Sequence, residues 1–178
     1  LASATDVQTI TLDASNTQTV VLTKATGTNS LETVTVNSNS LANTLALLDV
    51  SNVAPTTLNI AGTQNLTINT AGTSGITATA ALTTINASTS SGANVLTLSQ
   101  AFAGTVTGGS GTDTLNLNNA VNTVSASGVE VIVGTAANER ITVTGSVGSA
   151  VTSGGGDDSL TGGSGNDTFK FAAAELTA

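Results

Sequence analysis

The 178-residue sequence contains no cysteine, methionine, tryptophan, tyrosine or histidine. Without cysteine there are no disulfides, so the fold must be stabilised by packing, backbone hydrogen bonds or metal. Without cysteine or histidine, and with no Gly-x-Ser-x-Gly motif, the common nucleophilic triads are excluded, and we expect no enzyme. The few carboxylates fall in turns rather than in a pair suited to glycoside hydrolysis.

Basic residues and long apolar runs are also scarce. Three Lys and Arg residues stand against eleven Asp and Glu residues, which gives a net charge of −8. This balance excludes an electrostatic nucleic-acid binder and suits a cation-binding or extracellular surface protein. No apolar run approaches the roughly 18 residues of a transmembrane segment. The chain begins at Leu1 without a recognisable signal peptide, so we expect a mature product or a fragment.

The residues that remain favour an ordered β structure. Hydrophobic residues make up 39% of the chain and the mean hydropathy is +0.27, which argues against disorder. Short segments alternate between apolar and polar residues, with the period of two of a strand that has one buried face: Ile10–Leu12, Val20–Leu22, Val34–Val36, Leu58–Ile60, Leu66–Ile68, Leu96–Leu98, Leu115–Leu117, Val131–Val133 and Ile141–Val143. They recur every 10 to 14 residues at first and mostly every 8 to 10 after Leu58. Such a persistent short period predicts a β-solenoid.

Three nonapeptides follow the pattern G-G-x-G-x-D-x-U-x, in which U is apolar. They span residues 108–116, 153–161 and 162–170, and the second has Ser153 in place of the first glycine. The glycines allow positive φ and sharp turns, so that carbonyl oxygens converge. The aspartate adds a hard anionic oxygen, and flexible loops of oxygen ligands suit Ca²⁺ better than Mg²⁺.

The candidate calcium ligands are the acidic residues of these turns and the carbonyls of their glycines: Asp113, Asp158, Asp167 and Glu139, with Gly109, Gly111, Gly154, Gly156, Gly163 and Gly165. If each nonapeptide forms one turn and one strand, turns about 18 residues apart share an edge of the solenoid. Glu139 then becomes the partner of Asp158. The partner position of Asp167 is Ser149, which offers no carboxylate, so this second site is only half-formed. Asp113 has no clear acidic partner, because Glu130 is placed within a strand. The alternative is that these turns are only Gly-Asp turns stabilised by side-chain hydrogen bonds.

Two segments leave their secondary structure open. Residues 41–48 have apolar residues at helical spacing, but a strand from Leu45 to Val50 is an equal alternative. Residues 171–176 have helical propensity and are predicted to cap the last coil.

The tandem nonapeptides resemble those of the repeats-in-toxin (RTX) family of secreted bacterial proteins. The Thr-, Asn- and Ala-rich region before them is similar in composition to RTX-containing surface-layer (S-layer) proteins. The resemblance implies a right-handed parallel β-roll, type I secretion and folding by Ca²⁺ outside the cell. It transfers ligand roles to Asp113, Asp158, Asp167 and their glycines, and less directly to Glu139, where the family has aspartate.

The expected fold is therefore all-β. A parallel β-solenoid in residues 1–103 passes into a right-handed RTX-type β-roll in residues 104–178, which ends in a short C-terminal cap. The expected function is that of a structural segment of a self-assembling bacterial surface layer, located outside the cell. The alternatives are an adhesin or biofilm-matrix segment that contacts cell-surface glycan, or the non-catalytic roll of a type I-secreted toxin or hydrolase. A chain without Trp or Tyr is poorly suited to stacking on sugars.

Overall fold

The chain folds into strands and turns. The computed structural model describes residues 6–13, 17–23, 31–68 and 75–172, and these residues contain no helix. The strands are β1 Val7–Leu12, β2 Thr17–Val21, β3 Thr33–Ser38, β4 Asn43–Asp49, β5 Thr57–Gly62, β6 Leu66–Ile68, β7 Ile76–Thr77, β8 Thr84–Ser90, β9 Asn94–Thr97, β10 Ala103–Thr107, β11 Thr114–Asn116, β12 Thr123–Ser127, β13 Val131–Val133, β14 Arg140–Thr144, β15 Ala150–Thr152, β16 Ser159–Thr161 and β17 Thr168–Lys170.

The strands form two parallel sheets. Sheet A has the order β1-β3-β5-β8-β10-β12-β14-β16, and sheet B has the order β17-β15-β13-β11-β9-β6-β4-β2, with β7 added beside β4. From β8 onward, consecutive strands alternate between the sheets. Each coil therefore contributes one strand to each sheet, and the predicted parallel β-solenoid is confirmed.

The core lies between the sheets and is aliphatic. Alternate residues of each strand point inward, and Val34, Val36, Leu58 and Ile60 are fully buried on consecutive strands of sheet A. Phe102 is the one buried aromatic residue in the described part of the chain, and the other buried hydrophobic residues are Leu, Ile, Val and Ala. A coil becomes stable only when its neighbours cover its apolar face.

The coils shorten along the chain. Equivalent residues of neighbouring coils are 26 residues apart at Asp6 and Glu32, 24 apart at Glu32 and Thr56, and 18 apart at Ser149 and Asp167. Both sheets continue without a break across residue 103. In sheet A, β10 pairs with β8 and β12, and in sheet B, β11 pairs with β9 and β13.

The structure answers the question of secondary structure for one of the two segments that the sequence left open, residues 41–48, but not for residues 171–176. Residues 43–49 form strand β4, so the strand alternative holds for the segment with helical spacing. Tertiary pairing with β2 and β6 decides this, because a strand here completes sheet B. The predicted C-terminal cap lies almost entirely outside the described residues. In the described part of the chain, no helix has the length and apolar character needed to cross a membrane.

Candidate metal-binding turns

Two rows of residues stand at the positions where strands begin, one row at the entrance to each sheet. The sheet B row contains Asn94, Asp113, Glu130, Ser149 and Asp167, which the pairing of β9, β11, β13, β15 and β17 places side by side. The sheet A row contains Phe102, Asn122, Glu139 and Asp158, at the starts of β10, β12, β14 and β16. Since the turns of one row stack directly, side chains far apart in sequence come into contact.

A common hydrogen bond links neighbours in these rows. The side-chain oxygen of one coil accepts the backbone N–H of the equivalent residue in the preceding coil. In the sheet A row, the Glu139 N–H donates to Asp158 Oδ1 at 2.7 Å. In the sheet B row, the Asp113 N–H donates to Glu130 Oε2 at 2.7 Å, and the Ser149 N–H donates to Asp167 Oδ1 at 2.9 Å. The acidic residues thus connect successive coils at both edges.

Several carboxylates also close their own turn. Asp167 Oδ2 accepts the N–H of Gly163 at 2.8 Å, and Glu139 Oε2 accepts the N–H of Thr135 at 3.2 Å. The Thr135 hydroxyl donates to the other Glu139 oxygen at 2.7 Å. The hydrogen bond from the residue four places earlier fixes the conformation of the turn. The hydrogen bond to the preceding coil fixes the position of the turn relative to that coil. These two kinds of hydrogen bond give the acidic residue at the sixth position of the nonapeptide a structural role.

Asp113 has the most complete set of donors. Its side chain is only 4% exposed, and its Oδ1 accepts both the backbone N–H of Asn94 at 2.9 Å and the Asn94 Nδ2–H at 2.7 Å. Its Oδ2 accepts the Gly109 N–H at 2.6 Å. These groups present positive hydrogens to the carboxylate and leave about one of its four acceptor positions for a cation. The calcium-ligand role of Asp113 stays a prediction.

The turn of residues 153–157 offers a different environment. A Cβ atom on Gly154 would lie 1.7 Å from the carbonyl oxygen of Thr135, and one on Gly156 would lie 2.6 Å from that of Ala137 and 2.8 Å from Asn138 Oδ1. Three oxygens of the preceding coil therefore lie close to this glycine turn. Two of them accept backbone N–H groups of the turn, Thr135 O from Gly155 and Asn138 Oδ1 from Asp157, and each oxygen keeps a second acceptor position. The Asp158 carboxylate follows this turn and connects it to the preceding coil through its bond to the Glu139 N–H. These donors are hard oxygens, the type that Ca²⁺ prefers.

The next turn, which leads into β17 of sheet B, repeats this arrangement at the opposite edge. A Cβ on Gly163 would lie 2.6 Å from the carbonyl oxygen of Gly145, and one on Gly165 would lie 2.7 Å from that of Ser146. Asp167 is half-buried here rather than enclosed, and each of its oxygens accepts one N–H. Because an ionised carboxylate has about four acceptor positions, oxygen capacity is left for a cation.

The six candidate glycines serve two separate purposes. Gly154 and Gly156 have φ of +99° and +97°, as the expectation of positive φ requires. Gly109, Gly111, Gly163 and Gly165 do not take positive φ, so that expectation is wrong for them. They are needed because neighbouring backbone comes so close: a Cβ on Gly109 would lie 2.2 Å from the Ser90 oxygen.

The structure brings together both predicted pairs, Glu139 with Asp158 at a separation of 19 residues and Ser149 with Asp167 at 18. It also gives Asp113 the acidic neighbour that sequence reasoning missed. Glu130 was placed in a strand, but β13 begins at Val131, so Glu130 occupies the row position and binds the Asp113 N–H. The separation of 17 residues was the available signal. Asn94 lies next to Asp113 in the preceding coil, and it belongs to no motif that could have identified it.

Carboxylates alone do not form a metal centre in the described part of the chain, where no three Asp or Glu side chains converge. A cation in these turns would depend on carbonyl oxygens as well. Comparison with protein-family models, curated proteins and solved structures gives no match for this chain. The turns and rows described above are therefore the basis for any functional conclusion.

Proposed function

We propose that this chain is a structural, non-catalytic segment of a secreted, self-assembling bacterial surface protein whose glycine turns bind Ca²⁺. The observation that carries the proposal is the close approach of oxygens of the preceding coil to the glycine turn that leads into Asp158. Thr135 and Ala137 present carbonyl oxygens to the Gly154–Gly156 turn, and the Asp158 carboxylate reaches the coil that holds them.

Residues at two turns would hold the ion. Asp158 with the carbonyls of Thr135 and Ala137 forms the first set, and Asp167 with the carbonyls of Gly145 and Ser146 forms the second. When bound, Ca²⁺ would supply positive charge that neutralises neighbouring carboxylates. The chain's own contribution is to hold these oxygens at a fixed height through the hydrogen bonds between coils.

The net charge supports the coupling of ion binding to folding. The folded chain carries eleven acidic and three basic residues, and the rows place several of the carboxylates on consecutive coils. Repulsion between them disfavours the stacked state, and a bound cation removes it. Because such a site does not exist in the unfolded chain, the free energy of binding adds to the free energy of folding. Low calcium inside a cell would then keep the roll unfolded until export.

The architecture supports a structural role. The described residues form an elongated stack of coils whose interior is filled by aliphatic side chains, and such stacks serve as rigid extended elements. The basis for self-assembly is the compositional similarity to surface-layer proteins.

Calcium titration by isothermal calorimetry, with circular dichroism in parallel, tests the proposal. We expect saturable binding of Ca²⁺ to the chelator-treated chain and a simultaneous gain of β signal. Asp158→Ala and Asp167→Ala should each weaken binding and shift the β gain to higher calcium concentration. Light scattering with and without calcium tests assembly separately.

Asp157→Ala is the matched control, because Asp157 neighbours Asp158 but its side chain is exposed. The hydrogen bond found for Asp157 uses its backbone N–H, which donates to Asn138. This variant should titrate like the unmodified chain. Equal β content in calcium and in excess chelator, with no heat of binding, would reduce the nonapeptides to structural turns.

A further inference from the structure

The outer face of sheet A carries two uninterrupted rows of small hydroxyl and amide side chains. Because side chains alternate along a strand, each central strand places two polar residues outward with a buried aliphatic residue between them. The register aligns these pairs on six consecutive strands: Thr33 and Thr35, Thr57 and Asn59, Thr84 and Asn86, Thr105 and Thr107, Ser125 and Ser127, and Thr142 and Thr144.

The spacing in this array is regular in two directions. Neighbouring strands lie about 4.8 Å apart and alternate residues of one strand about 6.7 Å apart. The register shift between β5 and β8 falls after Asn59, beyond both rows. Ladders of matched side chains also favour flat sheets, whereas ordinary sheets twist. Sheet A therefore presents hydroxyl and amide groups on a two-dimensional lattice.

Strand propensity alone does not explain these rows. Threonine suits the strands of both sheets equally well, yet the corresponding rows of sheet B are interrupted by Val95, Val131, Val133 and Lys170. No residue of the sheet A rows is charged, although the whole chain carries a net charge of −8. The two faces of the solenoid thus differ in chemistry although they share one backbone geometry.

We propose that the outer face of sheet A binds the ordered water of an ice crystal surface. Each hydroxyl has one donor and two acceptor positions, so it can either donate to or accept from a water molecule. The Thr144 hydroxyl donates to the Ala126 carbonyl oxygen and Thr35 Oγ1 accepts from Asn59 Nδ2, and both keep an acceptor position for water. The lattice of the rows lies close to the oxygen repeats on ice crystal faces, so all positions engage together. This inference does not depend on calcium binding.

Other occupants of the face fit less well. The rows contain no aromatic ring to stack on sugars. A second copy of the chain would bury these hydroxyls, and burying them without new hydrogen bonds is unfavourable. Ordered water keeps every hydroxyl hydrogen-bonded.

The test uses the full 178-residue chain in a calcium-containing buffer. We expect thermal hysteresis, shaped ice crystals and enrichment of the protein in slowly growing ice. Thr105→Lys places a charged side chain at an exposed position in the middle of the array and should abolish most of the hysteresis. Val133→Lys is the control, because Val133 is 37% exposed on sheet B; it should retain the activity.

Circular dichroism of all three proteins excludes unfolding as the cause of a loss. A folded chain without hysteresis, which is excluded from ice like an ordinary soluble protein, would overturn the proposal. Equal losses in Thr105→Lys and Val133→Lys would also overturn it. Dimers in light scattering that Thr105→Lys disrupts, without ice activity, would show instead that the face binds a second copy.

Discussion

Replacing Asp113 by alanine is expected to lower the free energy of unfolding by about 3 kcal/mol or more, because each buried donor that loses its partner costs about 1–3 kcal/mol. The carboxylate accepts three hydrogen bonds, from the backbone and side chain of Asn94 and from the backbone of Gly109. Asp113 itself is 4% exposed, so water does not readily replace it. Urea denaturation followed by circular dichroism measures the change.

Thr112→Ala is the matched control in the same turn. Thr112 is exposed, and its replacement should change the free energy of unfolding by no more than about 0.5 kcal/mol. Asp113→Asn should fall between the two, since an asparagine keeps one acceptor oxygen but turns an N–H toward the donors. A loss no larger than that of Thr112→Ala would contradict the inferred role of this carboxylate.

Measuring stability with and without calcium distinguishes a hydrogen-bonding role of Asp113 from a metal-ligand role. If the N–H donors are the partners of Asp113, the loss in Asp113→Ala should be equal in excess calcium and in excess chelator. If Asp113 binds Ca²⁺, as the nonapeptide predicts, the loss should be larger in calcium. Asp158→Ala should show the calcium-dependent pattern, because its turn faces the carbonyl oxygens of Thr135 and Ala137.

Gly154→Ala is the second substitution with a large expected effect. Gly154 has φ of +99°, and an L-residue in such a conformation costs about 1–3 kcal/mol. The new Cβ would also lie 1.7 Å from the Thr135 carbonyl oxygen, so the two coils must separate. We expect a loss of unfolding free energy larger than the backbone term alone, together with weaker calcium binding, in urea denaturation and calorimetry.

Gly155→Ala provides the comparison one residue away. A Cβ at Gly155 meets nothing closer than Ala136 Cα at 3.8 Å, and Gly155 is not among the glycines with positive φ. Its backbone N–H donates to Thr135, and alanine keeps that donor. The stability of Gly155→Ala should stay within about 0.5 kcal/mol of the unmodified chain. Equal effects of the two substitutions would mean that the coils do not stack as closely as described.

Part of the candidate site could be predicted from the sequence. The position of the acidic residue in each nonapeptide, and a separation near 18 residues, were enough to pair Glu139 with Asp158 and Ser149 with Asp167. They were not enough to place Glu130, because one residue of register decides whether a side chain lies in a strand or at its entrance. The role of Asn94 could not be predicted, since nothing in the sequence marks it as the side-chain donor to Asp113.

The sequence by itself determined the repeat, because alternation with a period of two and a short coil length reflect local geometry that each segment carries independently. It therefore predicted an all-β solenoid and the positions of most strands. Only the tertiary structure decided how coils of unequal length align, which turned residues 43–49 into a strand and brought Thr135 to Gly154. It alone placed the threonines of sheet A in continuous rows. The physical reason is that register depends on contacts between coils, and these form between residues that are 17 or more positions apart.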